Sequence, residues 1–184
     1  MTNIRLRDIT DYKDISSIMN FHRYYIKDPI EKRMHRIHRS SRDSSRTPMQ
    51  WSAEKYAGFS KVRPWFTVNP NYRRINVAAE EKDPRSILNF YRKCIALKKR
   101  SRVLTYGKYR EFFPRSRDIY MYERTDGDSR WLIICSFSRH KVDVTLPKSY
   151  AGAPRKLMLC NYEHPDGRSM TFMPYEARVY KFGK

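Results

Sequence analysis

Residues 41–51 read Ser-Arg-Asp-Ser-Ser-Arg-Thr-Pro-Met-Gln-Trp and carry the densest set of groups able to do chemistry in this chain. Arg42 and Arg46 stand four apart, Asp43, Ser44 and Ser45 lie between them, and Pro48 and Trp51 come close behind. A guanidinium is a planar fork of donors that cannot accept, whereas an ionised carboxylate only accepts. A sugar hydroxyl does both, so a site that holds vicinal hydroxyls needs this mixture beside an aromatic face. The same residues would also make a plain basic loop anchored by a tryptophan, and composition alone does not separate the two readings.

Residue order separates them. The run Arg42-Asp43-Ser44-Ser45-Arg46-Thr47-Pro48-Met49-Gln50-Trp51 resembles the Arg-Asp-x-x-Arg-Thr-Pro-Met-x-Trp segment of glycoside hydrolase family 13, in its branch of oligo-1,6-glucosidases, α-glucosidases and trehalose-6-phosphate hydrolases. Ala57-Gly58-Phe59, Pro64-Trp65, Val68-Asn69-Pro70-Asn71-Tyr72, Ile75-Asn76-Val77 and the stretch from Asp83-Pro84 to Leu97 resemble the same enzymes in the same order. Met1-Thr2-Asn3 and residues 9–15 resemble the segment directly after the eighth strand of their barrel. The resemblance implies that one arginine of the motif hydrogen-bonds the sugar at the nonreducing end, Arg42 by its correspondence or else Arg46, with Asp43 and the other arginine holding the loop. It also implies that the nucleophilic Asp, the acid/base Glu and the third, transition-state-stabilising Asp of the family lie upstream of Met1. A (β/α)₈ barrel takes roughly 250 residues, and this chain has 184. The expectation is the C-terminal part of such an enzyme, with barrel strands 1–7 absent, no catalytic residue of its own, no metal ligand set and no cofactor.

The charge is the rival signal. Thirty-nine Lys and Arg against 19 Asp and Glu give a net charge of +20, a field that attracts polyanions and makes binding salt-dependent. Yet the basic residues run from Arg5 to Lys184 without forming a tail, and no ribonucleoprotein strand, paired Cys/His finger or KH loop is present. Cys94, Cys135 and Cys160 are odd in number and contain no Cys-x-x-Cys pair, which argues against a disulfide framework or zinc site and fits a reducing cytoplasm. No apolar run approaches the roughly 20 residues of a membrane span, and the first residues have no signal-peptide pattern.

Certain elements must position the motif. Ile9, Tyr12, Ile15 and Met19 recur at helical spacing, with Asp8, Asp11 and Asp14 every third residue on what should be a solvated face. Asp28-Pro29 should cap and start a helix running to His38. His35 and His38 could share a face there, but their neighbours are arginines and no third ligand is near in sequence. Residues 52–81 lose periodicity and gain proline, glycine and asparagine, as a long irregular excursion would. Trp51, Phe59, Trp65, Phe66 and Tyr72 should form its aromatic underside. Asp83-Pro84 should cap and open a helix through Leu97, which by the resemblance is the final barrel helix.

After Val103 the period becomes two. Candidate strands are residues 106–113, 118–125, 130–137, 141–146, 156–162, 169–173 and 177–182, with Asp126-Gly127-Asp128 a hairpin turn between the second and third. Leu132-Ile133-Ile134-Cys135 is apolar throughout and should be the central strand, buried on both faces. The fold class expected is therefore α+β, mostly β. Residues 1–103 are the end of a TIM barrel, consisting of the loop after strand 8 and the last helix; residues 104–184 are an antiparallel C-terminal β-sandwich.

Three classes of function fit. The first is the C-terminal part of an α-glucosidase, binding an α-glucoside oligosaccharide through Arg42, Asp43 and Arg46, and hydrolysing it only when a separately encoded barrel supplies the acids. The second is a non-catalytic carbohydrate or protein interaction module. The third, which only the charge supports, is a basic nucleic-acid binder.

Overall fold

The computed structural model describes residues 2–183, so Met1 of the N-terminal resemblance lies outside the described residues. It combines helices with antiparallel sheet, as expected, in two compact units, Met1–Asn89 and Phe90–Lys184.

In the first unit a 3-10 turn at Ile9–Asp11 is closed by a capping box between Asp8 and Asp11. Tyr12 is extended, which ends the helical path, and a new helix, α1, spans Ile15–Met19 and runs into a π-type turn at Asn20–Tyr24. Helix α2 spans Ile30–Ser40. Ile9, Tyr12, Phe21 and Ile37 form the small core. The break at Tyr12–Asp14 corrects the single helix expected over this region: Ile15 is exposed, and Asp14 is buried instead of solvated. Asp28 does not cap α2 either, because the helix starts at Ile30 with Pro29 before it. The Asp28 carboxylate instead pairs with Lys32 at 2.8 Å and Arg36 at 3.1 Å.

The excursion holds 3-10 turns at Lys55–Gly58 and Pro70–Arg73 and a short helix α3, Val77–Lys82, which Asn76 caps through Ala79 N–H. Gln50 ties it to the motif, donating from Nε2 to Asn71 Oδ1 at 2.9 Å and to the Ile75 carbonyl at 2.6 Å. Phe66 is buried and Tyr72 half-buried, but Trp51, Phe59 and Trp65 face solvent, so the expected aromatic underside reduces to two rings. Helix α4 spans Ile87–Arg100 and begins three residues later than Asp83-Pro84 suggested. Asp83 closes its own turn through Arg85 N–H, and the Ser86 hydroxyl accepts from Asn89 N–H, the bond of an N-cap.

In the second unit α5, Arg102–Tyr106, is capped by Ser101. Seven strands come after it among the described residues: β1 Lys108–Phe112, β2 Ile119–Asp126, β3 Ser129–Ser136, β4 Val142–Asp143, β5 Arg155–Cys160, β6 Thr171–Phe172 and β7 Ala177–Phe182. Five form an antiparallel sheet in the order β1-β2-β3-β7-β5, and β4 pairs with β6. Gly127, at φ +55°, takes the first central position of the two-residue turn between β2 and β3, where a side chain would be strained.

Cross-strand register explains the apolar run of β3. Leu132 and Ile134 lie with Met121 and Tyr180 on the face covered by Val144, Tyr150 and Phe172, which gives the sandwich its second layer. Ile133 and Trp131 lie with Val179 on the opposite face, under Val103 of α5. With both faces covered and a strand on each side, the middle of β3 has no position that water reaches freely, and residues 131–135 are apolar for that reason.

Candidate functional site around Arg42

The motif folds as a 3-10 turn, Arg42–Ser45, started by Ser41, whose hydroxyl accepts from Asp43 N–H. That turn sends Asp43 inward and Arg42 outward. Asp43 is fully buried. Its Oδ2 accepts from the backbone N–H of Lys13 at 2.7 Å and of Asp14 at 2.9 Å, and its Oδ1 from Arg46 Nη1 at 3.1 Å. The carboxylate thus stitches the motif to the break before α1, where two backbone donors freed by the broken helix need an acceptor.

Arg42 meets a second buried acid. Its Nε and Nη2 donate to Asp14 Oδ1 at 3.1 and 2.8 Å, its backbone N–H to Asp14 Oδ2 at 3.2 Å, and Nη2 also to the Ser16 hydroxyl at 3.0 Å. Ser17 donates its hydroxyl to Asp14 Oδ2 at 2.8 Å. Burial raises the Asp14 pKa, but the Arg42 guanidinium, the Ser17 hydroxyl and the Arg42 amide outweigh it and hold the acid at about 2. Asp14 is 2% exposed, whereas the Arg42 side chain is 62% exposed. One edge of the guanidinium is therefore fixed, while Nη1 makes no hydrogen bond among the described residues.

The arrangement can present donors to a polar ligand from a preset angle, but it cannot move protons at neutral pH, since Asp14 is held ionised and the guanidinium does not titrate. Of the residues singled out from the sequence, Arg42 is at the surface, Asp43 is interior, and Arg46 is half-exposed as Asp43's partner. Sequence reasoning missed Asp14. Its spacing from Asp8 and Asp11 carried no signal of this, because only the break in the helical path at Tyr12 turns it inward. Among the described residues no group of three or more His, Cys, Asp and Glu is placed to hold a metal ion.

Residues 8–107 match the family described as alpha amylase, catalytic domain. The chain is similar to an oligo-1,6-glucosidase of Bacillus cereus, 36% identical over 185 residues, covering 98% of this chain and 33% of that one. Among solved structures it is similar to a trehalose-6-phosphate hydrolase of Bacillus licheniformis, with TM-score 0.89, 32% identity, and coverage of 100% of this chain and 34% of that chain. It is also similar to an isomaltulose synthase of Klebsiella sp. LX3, with TM-score 0.87, 32% identity, and coverage of 100% and 34%. The chain spans about a third of the length of the curated relatives it matches.

Proposed function

The chain belongs to the alpha-amylase family, and from that membership we propose that it supplies the loop after strand 8, the last barrel helix and the C-terminal β-domain of an α-glucosidase of the oligo-1,6-glucosidase type. In this reading residues 1–103 cover a barrel and residues 104–184 form the β-domain. Hydrolysis of α-glucosidic bonds in short oligosaccharides takes place only when a barrel brings the catalytic acids, and the assembled enzyme works in the cytoplasm.

One observation carries the reading: every buried carboxylate among the described residues is already committed. Asp14 is held by Arg42, and Asp43 by two amides and Arg46. Glu123 accepts from the Tyr150 hydroxyl. Glu176 accepts from Arg178 and from Met173 N–H, and these bonds hold its pKa down against the effect of burial. Retaining glycoside hydrolysis needs a general acid whose pKa is raised, with a nucleophile about 5 Å away. Asp14 and Glu176 are shifted the opposite way. What remains for this chain is positioning, and Arg42 is the group with a fixed fork and a free edge to do it.

The test is an assay of isomaltose and p-nitrophenyl α-glucoside with the purified chain, alone and then mixed with the matching N-terminal two-thirds of an oligo-1,6-glucosidase. No turnover alone and turnover after mixing is the expected result. Turnover by the chain alone, abolished by one carboxylate substitution within it, would overturn the proposal.

A further inference from the structure

Residues 98–110 read Lys-Lys-Arg-Ser-Arg-Val-Leu-Thr-Tyr-Gly-Lys-Tyr-Arg, with six cations and no carboxylate in 13 residues. In the second unit this run folds around a groove of about 660 Å³ between the end of α4 and α5. The groove is lined by Lys98, Lys99, Arg100 and Arg102, together with Ile95 and Tyr106. Its corner is braced from inside: the Thr105 hydroxyl lies 2.9 Å from the Lys98 carbonyl and 3.1 Å from that of Ser101, and Ser101 Oγ accepts from Leu104 N–H. Little offsets its charge. Arg102 pairs with Asp126 at 2.9 Å, whereas among the described residues no ion pair or hydrogen bond holds the side chains of Lys98, Lys99 or Arg100. The last turn of a helix favours cations, but its dipole supplies only about half a negative charge there, against three positive ones. The excess lies in a concave, solvent-facing place, where the field is concentrated and anions are drawn in. Tyr106, 80% exposed, shares the wall. A ring this open gains almost nothing from burial in its own fold and offers a face for stacking.

We propose that this groove binds single-stranded nucleic acid, with Lys98, Lys99 and Arg100 on its phosphates and one unpaired base stacked on Tyr106. The lining selects this ligand over other polyanions. An acidic peptide or a phosphorylated small molecule would answer the charge but leave the ring in water, and a duplex keeps its base faces inside. Unpaired bases on a charged backbone match both the cations and the ring. The groove belongs to the second unit alone, and the proposal holds whether or not the chain completes an α-glucosidase.

The experiment follows the fluorescence anisotropy of a labelled oligodeoxythymidylate of about 12 nucleotides, titrated with the full chain over a range of salt, beside an abasic strand of the same length and charge. The abasic strand should bind at least about fivefold more weakly, the effect of one lost stack. Tyr106→Ala should weaken the oligodeoxythymidylate by the same factor and leave the abasic strand unchanged. The triple variant Lys98→Gln/Lys99→Gln/Arg100→Gln should weaken both strands about tenfold or more and flatten the slope of log Kd against log salt by about 2, the share of three phosphate contacts. Arg139, Lys141 and Lys148 are exposed cations of the same unit outside the groove. Changing those three to Gln removes the same charge and should cost much less. The proposal fails if this control costs as much as the groove variant, because binding would then belong to the net charge of +20. It fails equally if the abasic strand binds as tightly as the oligodeoxythymidylate. It also fails if poly-glutamate of the same length displaces the labelled strand as well as unlabelled oligodeoxythymidylate does, which would assign the groove to an acidic protein segment.

Discussion

The Asp14 carboxylate and the Arg42 guanidinium, 28 residues apart in sequence, meet at 2.8 Å with the acid inside and the base outside. Such a pair is asymmetric. The acid bears the desolvation, while the guanidinium keeps water on its outer edge and so loses little hydration. Removing the base leaves a buried charge, and removing the acid leaves an arginine that water can still serve.

Arg42→Ala should therefore destabilise the chain more than Asp14→Asn. We expect a loss of about 2 to 3 kcal/mol for the former, below the figure for a pair buried on both sides because solvent can enter the space of the vacated side chain. Urea denaturation of the two variants checks it, and equal losses would contradict the asymmetry.

The same pair sets a pH dependence. Asp14 titrates at about 2 in the folded chain against an ordinary 3.8. A depressed acid contributes stability that is fully present above the unfolded pKa and is lost as pH falls through the folded one. Its share, on the order of 1 to 2 kcal/mol after allowing for Arg42's exposure to solvent, should disappear between about pH 4 and pH 2. Other acids, Asp28 and Glu176 among them, are also held low. The measurement is thus the difference between the parent chain and Asp14→Asn, which should shrink as pH falls over that window.

Asp43→Ala should be the costliest substitution in the motif, about 3 kcal/mol or more, because it leaves the Lys13 and Asp14 amides without an acceptor in a buried place and frees Arg46. Limited proteolysis should then show early cuts in residues 41–51 that the parent chain resists. Arg46→Ala should cost about 2 kcal/mol, because it leaves the Asp43 carboxylate buried without its countercharge while the Lys13 and Asp14 amides still hold it.

In the reconstituted enzyme of the proposed function, Arg42→Lys keeps the charge but loses the fork that Asp14 holds. The value of kcat/KM should fall by about tenfold or more, consistent with hydrogen bonds to a charged donor. If Arg46→Ala carried the kinetic loss and Arg42→Lys did not, the roles within the motif would be reversed.

Leu132→Ala, at the fully buried centre of the sheet, should cost about 2 to 5 kcal/mol. Tyr109→Ala, on the exposed edge strand, should cost well under that. Thermal unfolding of both variants compares them in one experiment.

The β-domain was legible because alternation reports a half-buried strand, and an unbroken apolar run such as residues 132–135 reports one covered on both faces; each expected strand appears, β4 and β6 much shortened. The motif was legible through residue order. The parts that were not legible depended on contacts between distant residues. The three-residue spacing of Asp8, Asp11 and Asp14 is the same whether the chain continues as a helix or breaks at Tyr12, and only the break turns Asp14 inward to Arg42. Trp51, Phe59 and Trp65 look like core by type, yet nothing in a sequence states whether a neighbouring surface is there to cover them.

The sheet order places β7 between β3 and β5, and β7 comes after every other strand in the chain. β1, β2 and β3 can pair with one another as soon as they leave the ribosome, joined in part by a two-residue turn. β5 has no neighbour until Ala177–Phe182 arrives, because its ladder is made with β7 alone. Synthesis therefore exposes two open strand edges, on β3 and β5, until one late segment closes both, and a nascent chain stalled before residue 177 would present them together to any other unpaired strand nearby.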